Sequence, residues 1–217
     1  MKLRLVITLV FSISTFAICH KWSAPEVIGS LDSSVINESS GIAISKMYSD
    51  RMYHINDSGS GPFIYTSSIN GQALKKFKVV NYQPYDMEDL AIGPCASESC
   101  VYIADIGDNR EKRKYLSIIA LRESSFKNKV DTLTPFFKLN LRYPNTKYNS
   151  ESLVVHPNGD IYLLTKNVDD DNNRAMPAKL FKVSKKEVSI AMANGVNDIV
   201  LTEVATIDLP YRLYNFN

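Results

Sequence analysis

Three aligned stretches of sequence decide the fold: Glu38-Ser-Ser-Gly-Ile-Ala-Ile44, Asp86-Met-Glu-Asp-Leu-Ala-Ile92 and Asn149-Ser-Glu-Ser-Leu-Val-Val155. Each has a polar head followed by a short aliphatic run, and the three align without gaps. After a turn, each is followed by a strand-like segment with a tyrosine near its start. These tyrosines are Tyr53, Tyr102 and Tyr162, 49 and 60 residues apart. Strand-only repeats of this length are typical of a β-propeller.

Each repeat unit also contains a third and a fourth strand-like segment. The third segments are residues 63–65, 116–119 and 179–183, and the fourth are residues 74–80, 136–141 and 199–207. We therefore predict an all-β chain, a β-propeller of four-stranded antiparallel blades with about three blades present. A β-sandwich also has many short strands, but it does not predict a polar head before every first strand.

Smaller features complete the predicted domain, which spans residues 20–217. Residues 26–31 resemble an extra outer strand. The polar stretch 167–174 fits a hairpin insertion that lengthens the third unit. Residues 185–197 are compatible with one short helix ended by Gly195.

The number of units is small for a closed ring, because propellers have about four to eight blades. The sequence stops at Asn217, where a fourth polar head is expected. We therefore expect about half of a six-bladed ring, incomplete at the C-terminus. It is either a fragment or an open arc that pairs with a second copy.

The first residues predict export. Lys2 and Arg4 precede an uncharged apolar run that ends near Ala17, which is the pattern of a secretory signal peptide over residues 1–19. Cleavage after Ala17, cleavage after Cys19 and lipidation at Cys19 all remain open. The run is too short for a transmembrane helix, which needs about 20 apolar residues. The expected protein is secreted or periplasmic, with no membrane span in the mature chain.

Charge and composition argue for an ordinary globular domain. The chain of 217 residues is 45% hydrophobic and 22% charged, with a net charge of +2. Lys2 and Arg4 account for that excess, so the mature chain is balanced. Nucleic acid is not an expected partner, because such binding requires clustered Lys and Arg.

Two cysteines, Cys95 and Cys100, remain after the predicted signal peptide. In an oxidising compartment they are expected to close a small disulfide loop. Free thiols or a metal pair are the alternatives, but a zinc site needs four ligands and the histidines after the predicted signal peptide are only His20, His54 and His156.

The string Asp86-Met-Glu-Asp-Leu-Ala-Ile92, followed by Tyr102-Ile-Ala-Asp-Ile-Gly-Asp-Asn109, resembles a group of secreted bacterial β-propeller proteins with a DIGDN motif. Glu38-x-Ser-Gly41 and His54-x-Asn-Asp-Ser58 fit the same group. The group is mostly uncharacterised and is similar in style to six-bladed propellers of the NHL, SMP-30 gluconolactonase and phytase-like kinds. The resemblance implies a six-bladed ring with a central channel. It implies no single chemistry, because such propellers include lactonases, phosphatases and binding proteins.

The recurring polar residues are expected around one channel mouth, because first strands line the channel of a propeller. Glu88 and Glu151, in register in two units, are candidate metal ligands, and Glu88 is also a candidate general base. The expected ligand-binding residues are Glu38, Asn56, Asp57, Asp86, Asp105, Asp108, Asn149 and Lys166, with Ser40 beside them. Oxygen ligands from separate loops suit Ca²⁺.

Other roles for these residues stay open at this point. Asp, Asn and Ser before a strand often bond to backbone N–H groups in turns. Lys166 is expected either to neutralise the carboxylates without a metal or to contact an anionic substrate.

We expect an exported protein that binds a ligand or partner at this acidic mouth. The alternative is a metal-dependent hydrolase of phosphoester or lactone bonds. Serine-hydrolase and nucleotide-triphosphatase motifs are absent from the sequence.

Overall fold

The computed structural model describes residues 24–169, 174–195 and 198–208. The predicted signal peptide and residues 170–173 lie outside this part. Within it, the elements follow one another in chain order. They are β1 (Ser39–Ile44), β2 (Met52–Asn56), β3 (Phe63–Ser67), β4 (Lys75–Val79), β5 (Met87–Cys95), β6 (Glu98–Asp105), β7 (Leu116–Arg122), a 3-10 turn (Glu123–Ser125), β8 (Thr132–Leu133), β9 (Phe137–Arg142), β10 (Asn149–Val155), β11 (Ile161–Lys166), β12 (Val168–Asp169), β13 (Arg174–Ala175), β14 (Ala178–Val183), α1 (Lys185–Asn194), β15 (Asp198–Val200) and β16 (Thr202–Ile207).

Three sheets of four or five strands confirm the prediction of an all-β chain. The first sheet has the order β1-β2-β3-β4-β8, the second β5-β6-β7-β9-β15, and the third β10-β11-β14-β16. In each sheet the first four strands run antiparallel in chain order. The predicted hairpin insertion is also present, as the β12–β13 pair.

Two short parallel strands tie neighbouring sheets together. β8 leaves the second repeat unit and pairs with β4 of the first sheet, and β15 leaves the third unit and pairs with β9 of the second sheet. The single fourth strand predicted for residues 199–207 is therefore wrong. Between β15 and β16, the Leu201 N–H donates to the Arg142 carbonyl, so residues 198–200 stay with the second sheet.

The extra strand predicted for residues 26–31 is also wrong. These residues form no strand, and their backbone lies against the β3–β4 turn instead of a sheet edge. A Cβ at Gly29 would overlap the Asn70 carbonyl, so the two chains meet backbone to backbone.

The predicted short helix is confirmed as α1. Ser184 and Glu187 form a capping box at its start, and Gly195 ends it with a left-handed φ of 65°. No helix in the described ranges is long and apolar enough to cross a membrane.

The hydrophobic core lies between the sheets in two clusters. One joins the first and second sheets, with Tyr53 and Phe77 facing Val101 and Ile103. The other joins the second and third sheets and includes two residues of α1, Val188 and Ala191. The first strands of the three sheets, β1, β5 and β10, lie side by side. At Gly41, β5 approaches so closely that a Cβ would contact the Asp89 and Leu90 backbone.

The predicted disulfide is confirmed. Cys95 and Cys100 are bonded across the β5–β6 hairpin, with their Cα atoms 5.7 Å apart. Both residues are buried.

Candidate functional site

The first strand of each of the three sheets carries a β-bulge at the same aligned position. The pairing of β1 with β2 shifts between Ser39 and Gly41, that of β5 with β6 between Met87 and Asp89, and that of β10 with β11 between Ser150 and Ser152. A bulge bends the strand and re-aims a side chain. The re-aimed residues are Ser40, Glu88 and Glu151.

The three bulges open onto one acidic cavity of about 320 Å³. Residues from all three repeat units line it, so strands far apart in sequence build one site. The lining residues are Glu38, Ser39, Ser40, Asp57, Glu88 and Glu151. We call this space the acidic cavity.

Three carboxylates beside the acidic cavity are close enough to share one cation. One oxygen each of Asp57, Asp86 and Glu88 lies within 4.8 Å of the other two. Asp57 follows β2, whereas Asp86 and Glu88 flank the start of β5. Hard divalent cations such as Ca²⁺ prefer an oxygen set of this kind.

The electrostatics of Glu88 are unusual for a surface cavity. Partial burial and then the charge of Glu151 raise its pKa to about 8. Burial and then the charge of Asp57 raise the pKa of Asp86 to about 6, although Arg113 opposes this shift. Carboxylates this close do not all ionise unless a cation neutralises them.

Glu151 differs from Glu88 because it has donors. The Asn149 side-chain amide donates to it over 2.9 Å, and Lys166 forms an ion pair with it at 3.1 Å. The Asn149 side-chain carbonyl in turn accepts from the Asp108 N–H at 2.8 Å. The predicted residues Asn149 and Lys166 are therefore at the cavity, and they hold Glu151 in place.

Gly107 of the DIGDN motif forms part of the wall behind the carboxylates. A Cβ at this position would overlap the carboxylate oxygens of Glu88 and Asp86. Glycine at this position leaves room for the two acidic side chains, whose flexible ends would have to move to admit a larger residue.

Asp105 and Asp108, in the same motif, bind the surrounding backbone. The buried Asp105 carboxylate accepts from the N–H groups of Asp86 (3.0 Å) and Tyr85 (3.1 Å), and it pairs with Arg113 at 2.9 Å. Asp108 accepts from the Arg113 N–H at 2.7 Å. These contacts hold the loops that carry Asp86 and Gly107.

Asn56 takes the position in the first unit that Asp105 takes in the second. Each is the strand partner of the residue before the bulge. Asn56 is buried, and its amide donates to the Val35 carbonyl at 2.9 Å, so it also fixes the loop before a first strand.

Glu38 and Ser40 are two of the residues of the first repeat unit that line the acidic cavity. The Glu38 carbonyl accepts from the Asp57 N–H at 2.9 Å, which keeps Asp57 beside β1. The Ser40 hydroxyl lies 2.8 Å from the Met87 carbonyl and 2.9 Å from the Glu88 carbonyl, linking the bulges of β1 and β5.

Asp89 and Arg113 are residues that the sequence reasoning missed. Asp89 accepts from the Leu153 N–H at 2.7 Å, so it links β5 to β10 next to the bulges. Arg113 also donates to the carbonyls of Gly107 and Asp105. The third acid of the Asp86-Met-Glu-Asp89 string was the available signal for Asp89, whereas Arg113 lies in a loop without a repeat.

The two histidines in the described ranges, His54 and His156, are not among the residues that line the acidic cavity. His54 is fully buried and bonds Ser67 at 2.8 Å, and burial lowers its pKa. His156 is exposed in the β10–β11 turn, where its Nδ1 accepts from the Asn158 N–H.

No protein-family model matches this chain, and searches of curated proteins and of solved structures found no match either.

Proposed function

We propose that this protein is an exported binding protein of the β-propeller type, which holds a divalent cation, Ca²⁺, in the acidic cavity and binds a ligand or partner there. The observation that carries this proposal is the repeated bulge, which turns a side chain of each unit toward one opening. A bulge disrupts the strand pairing locally, and bulges are frequent beside functional sites.

The ligand set favours calcium on chemical grounds. Asp57, Asp86 and Glu88 offer three carboxylates, and Ser40 and Glu38 lie on the same cavity wall. Ca²⁺ takes six to eight oxygens in a flexible geometry, whereas Mg²⁺ demands a near-ideal octahedron. Ligands from two separate repeat units fit the looser requirement.

The raised pKa of Glu88 supports the same proposal. Burial and neighbouring carboxylates keep Glu88 protonated near neutral pH. A bound cation would supply the missing positive charge and favour its ionised form. Cation binding then releases a proton and becomes tighter as the pH rises.

Calcium titration by calorimetry at pH 7.5, with the same samples melted thermally, tests the proposal. We expect saturable binding, a higher melting temperature with Ca²⁺ than with EDTA, and loss of both in Glu88→Gln. Glu26→Gln is the matched control, because Glu26 is exposed and outside the cavity. Absence of binding to the folded wild-type protein refutes the cation site.

The propeller interpretation and the export rest on other observations. Three successive antiparallel sheets packed face to face, with their first strands innermost, are what blades would look like. The basic and then apolar stretch of residues 1–19 supports export. Mass spectrometry of the protein from the extracellular or periplasmic fraction tests the cleavage site.

Catalysis is the second candidate function, and the pKa of Glu88 near 8 favours it. A carboxyl with a pKa near 8 holds its proton at neutral pH, as a general acid requires, and its deprotonated fraction can act as a general base. In this alternative Glu88 would transfer protons instead of ligating the metal, and a Ca²⁺ held by Asp57 and Asp86 would suit a metal-dependent hydrolase of phosphoester or lactone bonds.

Activity assays distinguish the two candidates. A hydrolase should cleave p-nitrophenyl phosphate or a simple γ-lactone with Ca²⁺, and Glu88→Gln should lower kcat at least about a hundredfold. A calcium-binding protein that hydrolyses neither class of substrate supports the binding function.

A further inference from the structure

The two faces of each sheet are distinct and recur in every repeat unit. We call the face that carries Tyr53, Tyr102 or Tyr162 the leading face, and the opposite one the trailing face. Inside the chain, the leading face of the first sheet packs on the trailing face of the second. The leading face of the second sheet packs on the trailing face of the third in the same way.

The leading face of the third sheet lacks such a cover in the described structure. Tyr53 and Tyr102 are buried, whereas the aligned Tyr162 is partly exposed. At the neighbouring position of the first strands, Ala43 is 8% exposed and the aligned Val154 is 58% exposed. Leu164 and Leu180, on the same face as Val154, are also partly exposed.

The first sheet shows the reverse. Ile42 on its trailing face is 55% exposed, but the aligned Leu90 and Leu153 are each 4% exposed because a preceding sheet covers them. Ile44, two residues along on the same face, is 61% exposed. Farther out on this face His54 and Tyr65 are already buried, so the open part is β1 itself.

We infer that these two open faces bind each other between two copies of this chain, the third sheet of one copy against β1 of the other. Continuity with the existing interfaces argues for it. The same aligned positions already form two sheet-to-sheet contacts within the chain, and a third contact of the same kind needs no new type of surface. Exposed apolar patches on both faces give the contact its driving force.

The contact is head-to-tail, because the leading face of one copy meets the trailing face of the other. With two copies, each contributes one leading and one trailing face, and two identical interfaces close a two-fold ring of six sheets. The six innermost strands would then surround one axis, and each copy would contribute its own acidic cavity. The inference concerns the open faces only and stands whether or not the cavity binds a cation.

Sedimentation velocity in EDTA at micromolar concentrations tests this pairing in the wild-type chain. We expect a dimer, and both Val154→Lys and Ile42→Lys should weaken it at least about tenfold, since each places a charge in an apolar contact. Ile190→Lys on α1 is the matched control, because Ile190 is also exposed and apolar but lies on neither face. Circular dichroism and melting confirm that each variant folds.

Mixing the two variants gives the sharper result. Val154→Lys retains a good trailing face and Ile42→Lys a good leading face, so an equimolar mixture should form a heterodimer through one intact interface. A wild-type chain that stays monomeric at these concentrations overturns the inference. Dimers disrupted by only one of the two substitutions also overturn it, since they would pair like face with like face.

Discussion

Carboxylates occur at both ends of the sheets, but hydrogen-bond donors surround the one at one end and other acids surround the one at the opposite end. Glu123, just after β7, is fully buried and accepts hydrogen bonds from the hydroxyls of Ser45 (2.5 Å), Tyr53 (3.0 Å) and Ser99. Glu88, at the other end, has other acids as neighbours, and its pKa rises to about 8. A buried acid with three donors is a structural link, whereas a half-buried acid among acids requires a proton or a cation.

Burial alone therefore does not identify a functional carboxylate. Glu123 is more deeply buried than Glu88, but its donors come from both the first and the second sheet. The acids to test for function are those for which the fold supplies few donors.

The largest expected effect is that of Glu123→Ala. The substitution leaves the buried Tyr53 hydroxyl and the partly buried hydroxyls of Ser45 and Ser99 without their acceptor, and it removes a link between two sheets. The free energy of unfolding should therefore fall by about 3 kcal/mol. Urea denaturation measures the loss. Glu26→Ala, at an exposed position, should change stability by less than about 0.5 kcal/mol. A loss no larger than that control would mean that Glu123 is not a structural link.

Removal of the disulfide should cost less. The double variant Cys95→Ala/Cys100→Ala opens only a short loop, for which chain entropy predicts a loss of about 2 kcal/mol. The disulfide lies at the Glu123 end of the sheets, because Ser99 of the same hairpin bonds Glu123. The calcium affinity of the acidic cavity, at the opposite end of the sheets, should therefore be unchanged. Denaturation and calorimetry of the same variant check both statements, and a parallel drop in calcium affinity would show that the two ends are not independent.

A smaller change of opposite sign is expected for Glu88→Gln without calcium. In the folded protein the pKa of Glu88 is about 8, above its usual value of 4.5. The stability that its proton supports is complete below pH 4.5 and is lost as the pH rises through about 8. The glutamine side chain of the Glu88→Gln variant cannot ionise. In EDTA near pH 8, the free energy of unfolding of the variant should therefore exceed that of the wild type by about 1 kcal/mol after solvent screening.

Thermal melts of both proteins in EDTA between pH 5 and pH 8 measure this gain. One kcal/mol corresponds to roughly 2–4 °C in a domain of this size. A melting difference that stays constant with pH would contradict the raised pKa of Glu88.

Lys166→Gln should have the smallest effect. The partly exposed ion pair of Lys166 with Glu151 would compete with the proposed cation for the acidic cavity. Its removal should tighten calcium binding about twofold to fivefold, the range expected for an exposed pair. Lys179→Gln, which breaks the Lys179–Glu203 pair elsewhere in the third sheet, is the control. Weaker calcium binding in Lys166→Gln would place Lys166 among the groups that support the cation site.

Much of the fold followed from local pattern. The heads around Glu38, Asp86 and Asn149 predicted three first strands close to the observed β1, β5 and β10, and the following tyrosines marked the second strands. The strands β8 and β15 could not be read from the sequence. They have two and three residues, too few for a period, and they form by parallel pairing with the sheet of the previous unit.

The candidate site was predicted in composition but not in roles. Alignment placed Glu88 and Glu151 in register, but it did not show that both occupy a bulge, because a bulge is a property of strand pairing. Asp105 and Asp86 looked alike in sequence. Only the loop geometry gives Asp105 its backbone donors and Arg113, and leaves Asp86 beside Glu88.

Sequence patterns alone predicted the all-β class, the three repeat units, the helix ended by Gly195 and the Cys95–Cys100 bridge. These depend on short-range periodicity, turn residues and spacing, which are all local. Packing of the three units sets which acids share a cavity, which acids accept hydrogen bonds from nearby donors, and which sheet faces stay open. Those properties depend on contacts between units about 50 residues apart, and no local pattern records them.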